Sequence, residues 1–254
     1  MNDRRRLTLA MLAATLGTRP TLAHAESMRD MELRYLRAAV AEPLLRHANI
    51  EIAALEHIRI GSDALGPHLA LRVYHGQRKK NGGVRAEISV DTPWEEGDTV
   101  RYTWRFLIPR EFTSDSPQNR WWLFGNWHDQ PDPRAGQSWD GFPSRSPPVA
   151  FGYGQIDNQD QLSFVYGAPH PQTVGLIPFA RDRWQQIALE VKWSRGPEGR
   201  ASVRINGNAS PVLEARGPNM HNGYRHFMKL GAYRHPEIKG DAWVYIGGVA
   251  VQRR

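Results

Sequence analysis

Residues 100–108, VRYTWRFLI, are the stretch that decides the fold. All five even positions in it are apolar, whereas the odd positions are mostly polar. Successive side chains of a β-strand point to opposite faces, so this alternation is typical of a strand with one buried face. The stretch therefore predicts a strand that covers a core.

Short runs of the same kind recur along the chain, separated by Gly, Pro, Asn and Asp, with no strong helical pattern between them. The predicted strands are residues 69–73, 84–90, 100–108, 121–128, 149–155, 162–166, 186–193, 201–206, 227–233 and 243–251. Asn206-Gly207 predicts a hairpin with a type I′ turn, because both residues tolerate a positive φ. About ten short strands favour an all-β antiparallel sandwich that forms one domain over residues 26–254.

The first 25 residues predict a signal peptide. Arg4-Arg5-Arg6 is a basic start, residues 7–16 are a short apolar run, and Ala23-His24-Ala25 fits a cleavage site. We expect export to the periplasm or the outside after cleavage near Ala25, by the general or the twin-arginine route; an anchored helix is the alternative. Residues 28–48 predict a short helix or an irregular lead-in.

The net charge and the absence of cysteine limit which binding partners and which covalent or metal sites the protein can have. The formal charge is +7, and residues 1–25 hold four Arg and one Asp, so removing them leaves +4. This mild excess favours an acidic partner. We expect neither nucleic acid nor a membrane as partner, and a monomer. The chain has no cysteine, which excludes disulfides and thiolate metal sites.

Three predicted strands carry polar side chains two residues apart on the face opposite their apolar residues. These side chains are Arg85 and Glu87, then Asn126 and His128, then Lys229 and Tyr233. Lys229 and Tyr233 would lie roughly 13 Å apart along their strand, which suits two neighbouring saccharide subsites. Gly231 between them leaves room for a sugar ring to approach. Taken singly, Arg85 and Glu87 could be a surface ion pair and His128 a structural histidine.

These three segments together resemble the signatures of jelly-roll polysaccharide lyases, the alginate, glucuronan and heparin lyase I-type enzymes. Arg85-Ala86-Glu87 is similar to R-x-E, Asn126-Trp127-His128 to Q-x-H, and residues 226–234, HFMKLGAYR, to Y-F-K-x-G-x-Y. Residues 184–193, WQQIALEVKW, resemble a late strand of the heparin lyase I-like and glucuronan lyase branch. The resemblance spans about residues 65–252. Two departures are Asn126 in place of Gln and the inserted Met228.

The resemblance implies a concanavalin-like β-jelly-roll sandwich of two antiparallel sheets with a concave substrate groove. It also implies β-elimination in an acidic polysaccharide such as glucuronan, alginate or a glycosaminoglycan, at a 4-linked uronic acid. Removal of the C5 proton builds charge beside a carboxylate, so that carboxylate must be neutralised, and Arg85, Asn126 and His128 are candidates for this clamp.

Roles for the remaining residues follow from the same resemblance. Tyr233 can act as general base when neighbouring cations favour its phenolate, and it can then protonate the leaving oxygen. His128 is the alternative base for a C5 proton on the opposite face of the ring. Lys229 would bind a neighbouring carboxylate or sulfate, and Glu87 would orient Arg85 or His128.

Two other classes remain open at this point. A lectin-like binding module would keep the aromatic residues and Arg85, but it would not need Tyr233 and His128 together. A glycoside hydrolase needs two carboxylic acids at a defined spacing, and the comparable stretch, Glu95-Glu96-Gly97-Asp98, is typical of a turn. Formation of a C4–C5 double bond, seen by ultraviolet absorbance, distinguishes a lyase from both.

Three further expectations concern residues near the predicted site. His221, His226 and His235 match no common ligand spacing, so we expect solvated loop residues or substrate contacts and neither a metal nor a cofactor. Trp121, Trp122 and Trp127 should lie mostly in the core, with one able to stack on a sugar. Residues 129–148 hold five prolines and predict a long loop over one edge of the sandwich.

Overall fold

The computed structural model describes residues 27–254; the predicted signal peptide lies outside them. Within residues 27–254, one α-helix, α1 (Met28–Leu36), and three 3-10 helices (Glu42–His47, Leu55–His57 and Pro133–Ala135) accompany fourteen strands. The strands are β1 (Ala48–Glu51), β2 (Ile58–Asp63), β3 (Gly66–Tyr74), β4 (Val84–Asp91), β5 (Thr99–Leu107), β6 (Trp122–Asp129), β7 (Val149–Ile156), β8 (Gln159–Tyr166), β9 (Gln172–Pro178), β10 (Gln185–Lys192), β11 (Arg200–Ile205), β12 (Leu213–Arg216), β13 (His226–Arg234) and β14 (Asp241–Arg253).

The strands form two seven-stranded antiparallel sheets that pack face to face. The first sheet has the order β1-β4-β13-β6-β7-β8-β9, and the second has the order β12-β11-β10-β5-β14-β3-β2. Strands distant in sequence are therefore neighbours in space, and β4, β13 and β6 lie side by side at the centre of the first sheet. The predicted all-β sandwich of two antiparallel sheets is confirmed.

β5, which contains most of residues 100–108, is the central strand of the second sheet. Its even-numbered side chains are buried, and its odd-numbered ones are partly exposed. Trp104 reaches the opposite sheet and meets Trp127 of β6 and Phe151 of β7, with ring centroids 5.9 and 5.4 Å away. Such aromatic pairs add about 0.5–1.5 kcal/mol each to the burial of their area. The sheets are thus held together by side chains that the alternating pattern predicts.

All ten predicted strands are present, and the four that sequence reasoning missed are the four edges of the sheets. β1 and β9 border the first sheet, and β12 and β2 border the second. Edge strands bury less of each face; in β9, for example, only Ile177 is fully buried. The hydrophobic alternation that marks a strand is therefore weak in them.

The turn at Asn206-Gly207 has the expected backbone conformation. Both residues have a positive φ, 52° and 76°. The hairpin that they begin is longer than a two-residue turn, because Val203 of β11 pairs with Leu213 of β12. The prediction of a two-residue type I′ hairpin is wrong in length, while the left-handed conformation of both residues is confirmed.

The lead-in before β1 is partly helical. Ser27 caps α1 by accepting a hydrogen bond from the Asp30 backbone N–H, and Leu36 is buried at the other end of the helix. Pro43 lies in the first turn of the 3-10 helix Glu42–His47, where its missing N–H is tolerated. Within residues 27–254, no helix has the length and apolar character needed to cross a membrane.

The proline-rich connection between β6 and β7 reaches further over the first sheet than expected. An ion pair between Arg145 and Asp129 holds its end against β6. The ring centroid of Trp139 in this loop lies 6.1 Å from that of Phe227 on β13. The loop therefore covers part of the sheet's outer face and not only an edge of the sandwich.

Candidate active site

The order of the first sheet brings the three polar segments together on its outer face. β13 lies between β4 and β6, and Lys229 pairs with Ser89 on one side and with Asn126 on the other. Tyr233 pairs with Arg85 of β4. On the opposite face of β13, Met228, Leu230 and Ala232 are in the core. The side chains selected from the sequence are thus neighbours in the structure.

Four of these side chains, Arg85, Glu87, Asn126 and Lys229, form one buried polar network together with Glu51. Arg85 Nη1 lies 3.1 Å from Glu87 Oε2, and Asn126 Nδ2 donates to Glu87 Oε1 at 3.0 Å. Lys229 Nζ lies 2.8 Å from each carboxylate oxygen of Glu51, and Arg85 Nη1 lies 3.5 Å from Glu51 Oε2. All five residues are less than 9% exposed. Arg85 and Glu87 are therefore not a surface ion pair.

Glu51 is the member of this network that sequence reasoning missed. It lies on β1, and it reaches the network because β1 pairs with β4, which places it opposite Glu87. The four residues of β1 show no clear alternation, so nothing in the local sequence marks Glu51 as part of a site. Asn81, in the turn before β4, donates to Glu51 Oε2 at 2.9 Å and was missed for the same reason.

The two carboxyl groups of the network have opposite pKa shifts. Complete burial raises the pKa of Glu87 above its ordinary value, although Arg85, Lys229 and Asn126 favour its ionised form. Burial also opposes the ionisation of Glu51, but Lys229 and Asn81 outweigh it and hold the pKa of Glu51 below its ordinary value. Glu51 is therefore the firmly ionised partner of the cations.

Tyr233 lies at one end of the network, against the guanidinium of Arg85. The Arg85 Cζ atom is 4.0 Å from the centre of the Tyr233 ring, which is the geometry of a cation–π contact. Trp121 packs edge-on against the same ring at 4.8 Å and is 41% exposed, whereas Trp122 and Trp127 are buried. Trp121 is thus the tryptophan of the three that is open to a sugar ring.

His128 lies at the other end of the network, next to Phe227. The two residues pair across β6 and β13, and their rings stack at 5.7 Å. Burial, with Lys229 and Arg85 nearby, lowers the pKa of His128 to about 4, so the imidazole is neutral at pH 7. Phe227 and Tyr233 are six positions apart, roughly 20 Å of strand.

His128 therefore does not lie across from Tyr233. Tyr233 pairs with Leu123 on β6, not with a residue of the Asn126–His128 segment. The register of β6 shifts between Leu123 and Gly125, so Phe124 points into the core although Asn126 points outward. A bulge of this kind breaks the two-residue period on which the sequence argument rests.

Gly231 has a different role from the one predicted. Its φ is +144°, and a Cβ added there would lie 2.4 Å from the Ala86 carbonyl oxygen and 2.9 Å from Leu71 Cδ1. The absent side chain therefore makes room for β4 and the core. This close approach lies next to the network, because Gly231 pairs with Glu87 of β4.

The three histidines near Tyr233 have different environments. His226 is 2% exposed and stacks on Trp193 at 4.5 Å, so the expectation of a solvated loop residue or substrate contact is wrong for it. Burial lowers its pKa to about 3. His221 contacts the Ser146 carbonyl, and His235 packs on Trp121. Within residues 27–254, no group of three or more His, Asp or Glu side chains is arranged to hold a metal ion.

A family model described as polysaccharide lyase matches residues 62–250. No curated protein matches the chain. The endo-β-1,4-glucuronan lyase of the fungus Trichoderma reesei superposes with a TM-score of 0.53 at 16% identity, over 76% of this chain and 85% of that chain. A variant of alginate lyase Aly36B, solved with an alginate trisaccharide, gives 0.56 at 17% identity, over 82% and 88%.

Alginate lyase A1-II′, a member of polysaccharide lyase family 7, gives a TM-score of 0.56 at 12% identity, over 82% of this chain and 94% of that chain. Identities this low establish the fold alone. All three neighbours share the sandwich of this chain, and the predicted jelly-roll class is confirmed.

Proposed function

This chain belongs to the polysaccharide lyase family, and we propose that it cleaves an acidic polysaccharide at a 4-linked uronic acid by β-elimination. The observation that carries the proposal is the Tyr233 ring beneath the guanidinium of Arg85, on an outer face that also presents Asn126, His128 and Trp121. A glucuronan lyase and alginate lyases are among the structural neighbours, which supports a uronate-containing substrate.

In the proposed reaction, the Tyr233 phenolate removes the C5 proton of the uronate. The electron pair of the C5–H bond forms the C4–C5 double bond, the C4–O4 bond breaks, and Tyr233 returns the proton to the leaving oxygen. One residue can thus serve as base and then as acid.

Charge that develops on the uronate carboxylate must be neutralised for C5 to lose its proton. Arg85 supplies the positive charge nearest Tyr233, and Asn126 is fixed beside it through Glu87. Arg85 Nε is buried without a hydrogen-bond partner among the described residues, so the guanidinium keeps a donor that no protein group satisfies. His128, being neutral, would contribute a hydrogen bond and not a charge.

The register favours Tyr233 over His128 as the proton-transfer residue. Arg85 lies directly against Tyr233, whereas His128 sits at the Phe227 end of the groove. A conjugate acid with a pKa of about 4 also makes His128 a weak base. Export, based on residues 1–25, and a monomeric state remain part of the proposal.

The test incubates the protein with alginate, glucuronan, heparin and hyaluronan and follows the ultraviolet absorbance of the new double bond. Tyr233→Phe should lower turnover by at least about 100-fold while the protein stays folded by circular dichroism. Tyr245→Phe, which removes a phenolic hydroxyl from β14 of the other sheet, is the matched control. Near-normal activity of Tyr233→Phe refutes this scheme, and full loss in His128→Ala alone would make His128 the base. Binding without any product would indicate a lectin-like module.

A further inference from the structure

Lys229 has its positive charge already compensated by the protein. Its Nζ contacts both carboxylate oxygens of Glu51 at 2.8 Å, and both side chains are about nine-tenths buried. Asn81 holds the same carboxylate by a hydrogen bond of 2.9 Å. A buried, hydrogen-bonded pair of this kind does not open easily, because each partner would be left as an isolated charge. Lys229 is therefore poorly placed to bind a carboxylate of the substrate.

The groove next to this pair has the chemistry of a site for uncharged sugars. It has a volume of about 440 Å³, and Lys229 is the one cation among its lining residues. A second carboxylate, Asp91, lines the groove and accepts a hydrogen bond from Gln130. The other polar lining is amide or hydroxyl, and the rings of Trp139 and Phe227 meet at its wall. Among the lining residues, two carboxylates and one ammonium leave one negative charge in excess, and Arg85 contacts Glu51 from outside this lining.

The two ends of the site therefore differ in electrostatics. At the Tyr233 end, Arg85 stands beside the phenol and can face a uronate carboxylate. At the Phe227 end, a second carboxylate would meet Glu51 and Asp91, and like charges brought together in an interface are strongly disfavoured. Hydroxyl and amide groups of a neutral sugar could instead bond to the same carboxylates and amides, with a ring face against Trp139.

We propose that the groove beside Lys229 binds an uncharged sugar, so that the substrate is a polymer in which the uronate alternates with a neutral residue, and that Glu51 excludes a second uronate. This inference rests on the proposed lyase function and names the substrate class of the same site. Exclusion by a fixed repulsive group is a common way to obtain specificity between similar ligands.

The first test compares initial rates of the wild-type protein on two kinds of polymer. Hyaluronan and unsulfated heparosan alternate glucuronate with an uncharged N-acetylated sugar, whereas glucuronan and alginate consist of uronates only. We expect kcat/KM on at least one alternating polymer to exceed that on both homopolymers by about tenfold or more. Equal or faster cleavage of glucuronan or alginate overturns the inference and leaves the proposed function standing.

The second test uses Glu51→Gln, which removes the negative charge and unmasks Lys229. The ratio of kcat/KM on glucuronan to that on hyaluronan should rise by about tenfold or more, a change that simple loss of stability would not produce. Glu214→Gln, on β12 of the other sheet, removes the same unit of charge far from the groove and should leave the ratio unchanged. An unchanged ratio in Glu51→Gln contradicts the role assigned to Glu51.

A binding measurement keeps the inference testable if the variant is unstable or if no polymer is cleaved. Calorimetric titration of the wild-type protein with hyaluronan and glucuronan oligosaccharides of equal length should show tighter binding of the hyaluronan series. Tighter binding of glucuronan oligosaccharides overturns the inference. Absence of unsaturated product from every polymer refutes the proposed lyase function separately.

Discussion

Replacement of Gly231 by alanine should destabilise the protein strongly, because the added methyl group has no space. The Cβ atom would lie 2.4 Å from the Ala86 carbonyl oxygen and 2.9 Å from both Glu87 Cα and Leu71 Cδ1. Two of these atoms belong to the backbone of β4, which cannot move aside without breaking its pairing with β13. The φ of +144° is also one that residues with a side chain rarely adopt.

The costs of the backbone conformation and of the overpacking at residue 231 can both be estimated. A disfavoured backbone conformation costs about 1–3 kcal/mol, and overpacking of a filled interior costs about 1–3 kcal/mol more. We therefore expect Gly231→Ala to lower the free energy of unfolding by about 2–6 kcal/mol. For a urea dependence of about 2–3 kcal/mol per M, the unfolding midpoint would fall by about 1–3 M.

Urea unfolding followed by far-ultraviolet circular dichroism measures this change. Gly66→Ala is the matched control, since Gly66 has a φ of +94° but no atom within 4 Å of an added Cβ. The control should cost about 1–3 kcal/mol, the contribution of backbone conformation alone. If Gly231→Ala were no more destabilising than Gly66→Ala, the close approach of β4 to β13 would not be the reason for this glycine.

Two more predictions concern His226 and Trp121. The pKa of His226 is lowered to about 3 from an ordinary value near 6.5, so the unfolded chain binds more protons between these values and stability is lost as the pH falls. His226→Phe keeps a ring on Trp193 without a titrating group. Between pH 7 and pH 4, urea unfolding should show that this variant loses about 3 kcal/mol less stability than the wild type. Equal losses would contradict the lowered pKa of His226. Trp121→Ala removes the exposed ring beside Tyr233. It should lower kcat/KM by about two- to tenfold with little change in the unfolding midpoint. Unchanged kinetics would exclude Trp121 as a sugar contact.

Sequence reasoning located the core strands and most of the candidate site because buried and outward-facing side chains alternate along the strands that form both. In β13, alternate residues Met228, Leu230 and Ala232 are buried, so the remaining positions, including Lys229 and Tyr233, had to face outward. The same argument selected Arg85 and Glu87 on β4. It required no knowledge of which strands are neighbours.

Sequence reasoning failed where the result depends on strand pairing or where the two-residue alternation of buried and exposed side chains is absent. The pairing of β6 with β13 sets His128 opposite Phe227 and Tyr233 opposite Leu123, and the sequence of neither strand shows this register. β1 is a short edge strand without alternation, so Glu51 and its contact with Lys229 could not be predicted.

The sequence by itself determined that the chain forms an antiparallel sandwich and which side chains leave its core, since burial of alternate residues is a local property of each strand. Only the tertiary structure decided which of those side chains meet. The order β1-β4-β13-β6 pairs Lys229 with Glu51, sets Arg85 over Tyr233 and places His128 at the far end. These contacts join residues up to 178 positions apart, and their electrostatics depend on distance and burial that no local pattern encodes.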